Sequence, residues 1–208
     1  MPHIIARTWA RSILWAARIQ VTVTGFSNID PQKSYIFMSN HQGNFDIPVL
    51  LAFLTAQFRW LAKAELFKIP LFGYAMKRAG YISIDRSNRK SAFESLSRAA
   101  AIIKNGVSVI IFPEGTRSQD GKIRPFKQGG FLIAIDAGAP IVPVIIHGTR
   151  SIMPKNKFRI NPGNVDLEIL QPIQTDGYTR KQRDELLDKV RNSICQSFES
   201  KEKGRSEC

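Results

Sequence analysis

The fold of this chain is decided by the stretch Val107-Ser108-Val109-Ile110-Ile111-Phe112, which runs directly into Pro113-Glu114-Gly115-Thr116-Arg117-Ser118. Its first six residues are apolar except for one serine, as in a central strand that is buried on both faces. Ligands of α/β sheets bind where such strands end. We therefore expect the polar residues after this strand to form part of a binding site.

Short β-rich runs alternate with helical runs along the chain. Strands are predicted at residues 20–24, 35–39, 58–62, 81–84, 107–112, 141–147 and 165–170. Helices are predicted at residues 47–56, 71–78, 89–104, 128–137 and 179–200. This alternation predicts one α/β domain, with a mixed, mostly parallel sheet of about seven strands flanked by helices.

The first 19 residues form a separate pattern. Arginines divide the apolar residues, as in a basic amphipathic helix: one side carries Ile5, Trp9, Ile13 and Ala16, and another carries Arg7, Arg11 and Arg18. We expect such a helix to lie in a membrane interface, and the alternative is that it packs on the domain itself. Residues 20–200 would then form the folded domain, and residues 201–208 a frayed tail.

The composition indicates an anionic partner. The chain has 208 residues and a net charge of +13, and residues 57–130 contribute +9 of it. Cys195 and Cys208 form no CxxC pair, so neither a disulfide framework nor a zinc site is expected. We expect no signal peptide and no transmembrane span, which suggests a peripheral protein on the cytoplasmic face of a membrane.

A second polar motif, here called the histidine motif, reads Asn40-His41-Gln42-Gly43-Asn44-Phe45-Asp46. With Pro48 close behind it, Asp46 is predicted to cap the next helix. The spacing lets its carboxylate bind one nitrogen of the His41 imidazole and leave the other free as a base. A structural histidine and a simple helix cap are the alternatives for the two residues taken singly.

Residues 112–118 are here called the glycine motif. Gly115 permits close backbone approach, Thr116 offers a hydroxyl, and Arg117 offers a planar fork for a phosphate. Glu114 is not attracted to phosphate, so we expect it to bind a substrate hydroxyl or to fix Arg117. A plain surface turn is the alternative.

The two motifs, in this order, resemble those of the glycerolipid acyltransferases, and most closely the lysophosphatidic acid acyltransferases. The resemblance covers about residues 20–170. It extends to three further blocks: Ala62-Lys63-Ala64-Glu65-Leu66, Gly80-Tyr81-Ile82-Ser83-Ile84-Asp85-Arg86, and Ala137-Gly138-Ala139-Pro140-Ile141-Val142-Pro143-Val144.

This resemblance implies that the chain transfers a fatty acyl group from acyl-CoA or acyl carrier protein to lysophosphatidic acid. It implies His41 and Asp46 as the catalytic pair and the glycine motif as the substrate loop. Arg86 and Lys63 become further phosphate ligands, and Val142, Pro143 and Val144 would line the acyl region. No bound cofactor and no metal are expected. The donor could be either thioester, since a basic surface attracts both polyanionic CoA and an acidic carrier.

Several alternatives remain open at this stage. The same chemistry could act on glycerol 3-phosphate or on another lyso-lipid such as lyso-ornithine lipid, because family members share these motifs across acceptors, although the phosphate-binding arginines favour a phosphorylated acceptor. A covalent route through Ser39 or Ser118 is disfavoured because the chain has no GxSxG elbow. A non-catalytic module that binds anionic membranes or nucleic acid would leave the His41 and Asp46 pair without a role, so no nucleic-acid partner is expected.

Overall fold

The computed structural model describes residues 2–85, 88–154 and 158–206, and within these ranges the chain forms one seven-stranded sheet. The order across the sheet is β1-β7-β6-β2-β5-β3-β4. The strands are β1 (Ile19–Thr24), β2 (Ile36–Ser39), β3 (Phe58–Lys63), β4 (Ile82–Ile84), β5 (Ser108–Ile111), β6 (Ile141–His147) and β7 (Gly163–Ile169).

Strand direction in the sheet is mixed but mostly parallel, as predicted. The five strands from β6 to β4 run parallel to one another, whereas β7 is antiparallel to β6 and parallel to β1. The central strands β5 and β6 are buried along their whole length. The one polar side chain in β5, Ser108, accepts a hydrogen bond from the Tyr35 N–H at 3.0 Å, which satisfies its hydroxyl in the core.

Helices cover both faces of the sheet. On one face α1 and α2 pack around Phe37 and Ile110, and on the other face α4, α5 and α7 pack around Met38 and Ile111. The helices are α1 (Pro2–Ala16), α2 (Asp46–Phe53), α3 (Phe72–Arg78), α4 (Arg89–Lys104), α5 (Gly129–Ala137), α6 (Thr149–Ile152) and α7 (Arg183–Ser206).

Helix α1 packs on the domain through one side and leaves most of its predicted apolar side exposed. Ala10 and Leu14 are buried against α2. Ile5, Trp9 and Ala16, three of the four residues assigned to the apolar side, are exposed. Because apolar residues occur all round this helix, one side can pack on α2 while the predicted apolar side stays exposed, and the placement of that side in a membrane interface stays a prediction.

The C-terminal helix is longer than predicted. Helix α7 extends to Ser206, six residues into the expected tail of residues 201–208, and the last two residues lie outside the described ranges. Contacts with the sheet hold its later turns: Phe198 stacks on His147 with ring centroids 4.5 Å apart, and Lys201 Nζ lies 3.4 Å from a carboxylate oxygen of Glu168.

The parallel strands bring the two motifs to one edge of the sheet. Strand β2 ends at Ser39, just before the histidine motif, and its neighbour β5 ends at Ile111, just before the glycine motif. The end of β6 reaches the same edge on the other side of β2. Within the described ranges, no helix combines the length and apolarity needed to cross a bilayer.

Candidate active site

The His41 imidazole and the Asp46 carboxylate are in direct contact. His41 Nδ1 lies 2.6 Å from Asp46 Oδ2, and the same oxygen accepts the N–H groups of Gln42 at 2.7 Å and Gly43 at 3.0 Å. An ionised carboxylate can only accept, so Nδ1 donates to it and Nε2 keeps its lone pair. The imidazole is 14% exposed and Asp46 is fully buried.

Asp46 is not the helix cap that the sequence predicted. It is the first residue of α2, and the preceding Phe45 occupies the N-cap position with helical dihedral angles. Its carboxylate turns back over the loop, where it binds the amides of the histidine motif. The helix therefore fixes the carboxylate, and the carboxylate fixes the loop that carries His41.

Thr149 is a third partner of this pair that the sequence analysis missed. The Thr149 hydroxyl donates to Asp46 Oδ1, the oxygen that does not face His41. Thr149 follows β6 at the same sheet edge, after Gly148 with φ +95°. A side chain at Gly43 would overlap the carbonyl of Thr149, so a glycine there is a packing requirement. The only sequence signal was a threonine just past a predicted strand.

The two motifs are joined at the residue that carries the imidazole. The His41 N–H donates to Glu114 Oε1 at 2.8 Å, and the His41 carbonyl accepts the Ser118 N–H at 2.8 Å. The imidazole stacks on Phe112 with centroids 3.8 Å apart and ring planes 8° apart. These contacts hold the histidine motif and the glycine motif together at one edge of the sheet.

Glu114 connects loops and does not contact Arg117, contrary to one of its two predicted roles. Only 3% of it is exposed, and its second oxygen accepts the Arg124 N–H at 2.9 Å. Both oxygens therefore bind backbone amides, which leaves a substrate hydroxyl little access to them. Burial raises the pKa of this carboxyl above its ordinary value, and the two backbone hydrogen bonds oppose that rise.

Gly115 and Arg117 lie beside the histidine motif, together with a cation that the sequence analysis did not single out. Gly115 has φ +73°, and a Cβ there would lie 3.1 Å from Lys127 Nζ, so the lysine extends over the glycine. Arg117 donates to the Asn44 side-chain oxygen, which ties the guanidinium to the histidine motif. Thr116 is exposed at this loop.

Further cations surround this loop. Lys122 and Arg124 are exposed, and Arg150 donates to the Gln119 carbonyl at 3.1 Å. The nearby acid Asp120 is held by the Lys122 N–H and the Ser118 hydroxyl, which lower its pKa. Fixed positive charge therefore dominates the accessible surface beside the imidazole, as an anionic substrate requires.

The remaining predicted site residues have different surroundings. Lys63 is exposed at the end of β3, on the same sheet edge, while Arg86 lies outside the described residues. Val142, Pro143 and Val144 are buried in β6, and the two valines belong to the core between the sheet and helices α1 and α2. The two valines therefore contribute to the core, and the lining of an acyl region by these residues stays a prediction.

Comparison with known proteins adds independent evidence. The profile of the acyltransferase family matches residues 20–147. A chloroplastic 1-acyl-sn-glycerol-3-phosphate acyltransferase of Brassica napus is 38% identical over 94% of this chain and 56% of its own length. A human 1-acyl-sn-glycerol-3-phosphate acyltransferase alpha is 33% identical over 93% of this chain and 69% of its own length.

A solved structure gives the same result. The crystal structure of the 1-acyl-sn-glycerophosphate acyltransferase PlsC from Thermotoga maritima superposes with a TM-score of 0.84 at 32% identity, over 96% of this chain and 79% of that one. The chain spans little more than half the length of the first chloroplastic and algal relatives it matches. The profile match, the identity with these relatives and the shared fold show that this chain belongs to the acyltransferase family.

Proposed function

We propose that this chain transfers a fatty acyl group from an acyl thioester to the free hydroxyl of lysophosphatidic acid, giving phosphatidic acid. The observation that carries the proposal is the contact of His41 with Asp46 at 2.6 Å, beside a loop that presents Arg117 and Lys127. The names of its relatives support the same acceptor. We propose residues 20–200 as the catalytic domain, and the match of the family profile to residues 20–147 supports most of this range.

In the proposed reaction His41 is a general base. Its Nε2 takes the proton of the acceptor hydroxyl as the hydroxyl oxygen attacks the thioester carbonyl carbon. The tetrahedral intermediate then collapses, the carbon–sulfur bond breaks, and the departing thiolate receives the proton from Nε2. Asp46 holds the ring in the required tautomer and stabilises the transient imidazolium. A positioned base contributes about 10²–10⁴-fold, so substrate positioning must contribute much of the remaining acceleration.

The phosphate of the acceptor would be held by cations of the site. Arg117 offers a planar fork that suits two phosphate oxygens, and Lys127 adds a point charge over Gly115. Lys63, on the same sheet edge, and Arg86 are proposed as further ligands. Glu114 would support these contacts indirectly, because it fixes the loop rather than the phosphate.

Association with an anionic membrane surface is part of the proposal. Helix α1 leaves Ile4, Ile5, Trp9 and Trp15 exposed, although its other side is packed on α2. Such side chains suit the interface between head groups and acyl chains, and each nearby Lys or Arg contributes about 1 kcal/mol on an anionic leaflet. We propose the cytoplasmic leaflet, with acyl-CoA or acyl carrier protein supplying the acyl group from the aqueous side.

One experiment tests the reaction and identifies both substrates. Purified protein is incubated with isotope-labelled acyl-CoA or acyl carrier protein and, separately, lysophosphatidic acid, glycerol 3-phosphate or lyso-ornithine lipid, and products are identified by mass spectrometry. Labelled phosphatidic acid is expected, and the His41→Ala protein is the control for hydrolysis by contaminants. Acylation of glycerol 3-phosphate or lyso-ornithine lipid in preference to lysophosphatidic acid would contradict the proposal.

A further inference from the structure

We propose that residues 64–78, here called the apolar segment, form a second membrane-contact surface, separate from α1, that inserts into the head-group region of a bilayer containing anionic lipid. The segment joins β3 to β4 and comprises a short 3₁₀ helix, a turn and helix α3. The proposal concerns binding to the bilayer, so it stands or fails independently of the proposed reaction.

The apolar segment exposes large apolar side chains in close succession. Leu71 is 86% exposed, Tyr74 66% and Phe72 53%, and Leu66 and Ile69, which precede Pro70, are also exposed. Helix α3 has Gly73 and Met76 as its buried residues. A contiguous apolar surface of this kind in a folded protein marks a site of contact with a membrane or another molecule.

The backbone holds this surface in place. Leu71 has φ +59° and ψ −52°, which a leucine rarely adopts. The turn around it is closed by the Phe72 N–H to the Pro70 carbonyl at 2.6 Å and the Gly73 N–H to the Ile69 carbonyl at 2.7 Å. The fold therefore presents the leucine outward from a fixed turn, and contact with lipid would offset the unfavourable exposure.

The charges around the apolar segment favour an anionic bilayer as its partner. Lys68, Lys77 and Arg78 are exposed, and Lys63 immediately precedes the segment. Glu65 is the acidic residue of the segment. Apolar and aromatic side chains interspersed with lysine and arginine match an interface in which acyl chains lie just below phosphate groups.

The position of the apolar segment suits the same partner. It begins where β3 ends, at the sheet edge where β2 and β5 present the histidine and glycine motifs. Helix α1 is placed differently: it packs on α2 across one sheet face, and its His3 ring contacts Phe58 at the start of β3. The two surfaces are therefore separate, and loss of one should leave binding through the other.

Vesicle flotation without substrate tests the proposal. Full-length protein is mixed with phosphatidylcholine vesicles containing 0 or 30 mol% phosphatidylglycerol, about the anionic fraction of a charged leaflet. We expect the Leu71→Ser, Phe72→Ser double variant to bind anionic vesicles about tenfold more weakly than the unmodified chain. We expect Lys68→Gln with Lys77→Gln to reduce the preference for anionic over neutral vesicles at least threefold.

Phe93→Ser is the matched control, because Phe93 is similarly exposed, at 55%, but lies on a different helix, α4, beside Arg180. Its affinity should stay within twofold of the unmodified chain, with unchanged thermal unfolding in every variant. A loss under threefold in the double variant, or an equal loss in the control, overturns the proposal. The proposal is also overturned if light scattering shows that the unmodified chain is a dimer and the double variant a monomer. The apolar segment would then bind a second copy of this chain.

Discussion

The histidine motif and the glycine motif each contain a buried carboxylate, and the two carboxylates have different partners. Asp46 binds two backbone amides, a threonine hydroxyl and the imidazole, whereas Glu114 binds the backbone amides of His41 and Arg124. The first orients a reactive ring, and the second joins two loops. Burial and charge alone therefore do not reveal the role of an acidic residue; its partners do.

This comparison implies that changes in the histidine motif alter turnover and changes in the glycine motif alter substrate binding. The largest effect is expected for His41→Ala, which removes the base. We expect kcat to fall about 10³-fold or more, with a folded protein, because the imidazole contributes to the transition state. Steady-state kinetics and thermal unfolding measure both quantities. Turnover within tenfold of the unmodified chain would exclude His41 as the base.

Changes in the glycine motif, and at Lys127 beside it, should raise KM rather than lower kcat. Arg117→Ala and Lys127→Ala each remove a cation from the proposed phosphate site, so KM for lysophosphatidic acid should rise about 10- to 100-fold, the range for a hydrogen bond to a charged group. The KM for the acyl donor should change little. Lys122→Ala, an exposed cation in the same loop, is the matched control. A selective rise in donor KM would mean that these cations bind the thioester substrate.

Variants of Thr149 test whether its hydroxyl, in the loop after β6, contributes to turnover through Asp46. Thr149→Val keeps the side-chain shape but removes the hydroxyl that donates to Asp46, so we expect kcat to fall about tenfold with acceptor KM nearly unchanged. Thr149→Ser should restore most of the turnover. If the serine variant is as slow as the valine variant, packing explains the loss and the hydroxyl does not.

Glu114 should give the smallest effect, visible as a pH dependence of stability. Because burial raises its pKa in the folded state, the folded protein binds a proton more tightly than the unfolded chain. Ionisation of Glu114 therefore costs stability as pH rises from the ordinary pKa of this carboxyl, 4.5, to the raised folded pKa. Glu114→Gln does not titrate, so its free energy of unfolding relative to the unmodified chain should increase across that window.

Chemical denaturation at several pH values measures this difference, and an isosteric change at an exposed acid, Glu199→Gln, is the control. Across the same window we expect the difference in free energy of unfolding to rise with pH, because the raised pKa of Glu114 makes its ionisation unfavourable in the folded protein. A difference that stays flat or decreases with rising pH would show that the backbone amides outweigh burial at this carboxylate.

Much of the fold could be predicted from the sequence because its signals are local. The central strands are continuous apolar runs, and helix α4 has the predicted bounds because Asn88 caps it by accepting the Ser91 N–H at 2.9 Å. The pairing of His41 with Asp46 was also predictable, since both residues belong to one short loop.

The missed features depend on long-range contacts. Thr149 reaches Asp46 from about a hundred residues away, and Lys127 reaches Gly115 only because the loop between them folds back. The amide partners of Glu114 likewise come from two separate loops. The buried stripe of α1 depends on which of its apolar sides meets α2, and no residue of α1 alone specifies that choice.

Asn40 extends the sheet toward the reactive ring. It is fully buried, its side-chain nitrogen donates to the Ile146 carbonyl at 2.9 Å, and its side-chain oxygen accepts the Ile146 N–H at 2.8 Å. The amide thus imitates one more peptide unit of β2 and adds a rung to its ladder with β6. The residue next to His41 is therefore hydrogen-bonded to the sheet, which restricts the movement of the imidazole. An insertion between positions 39 and 41 would disrupt this connection.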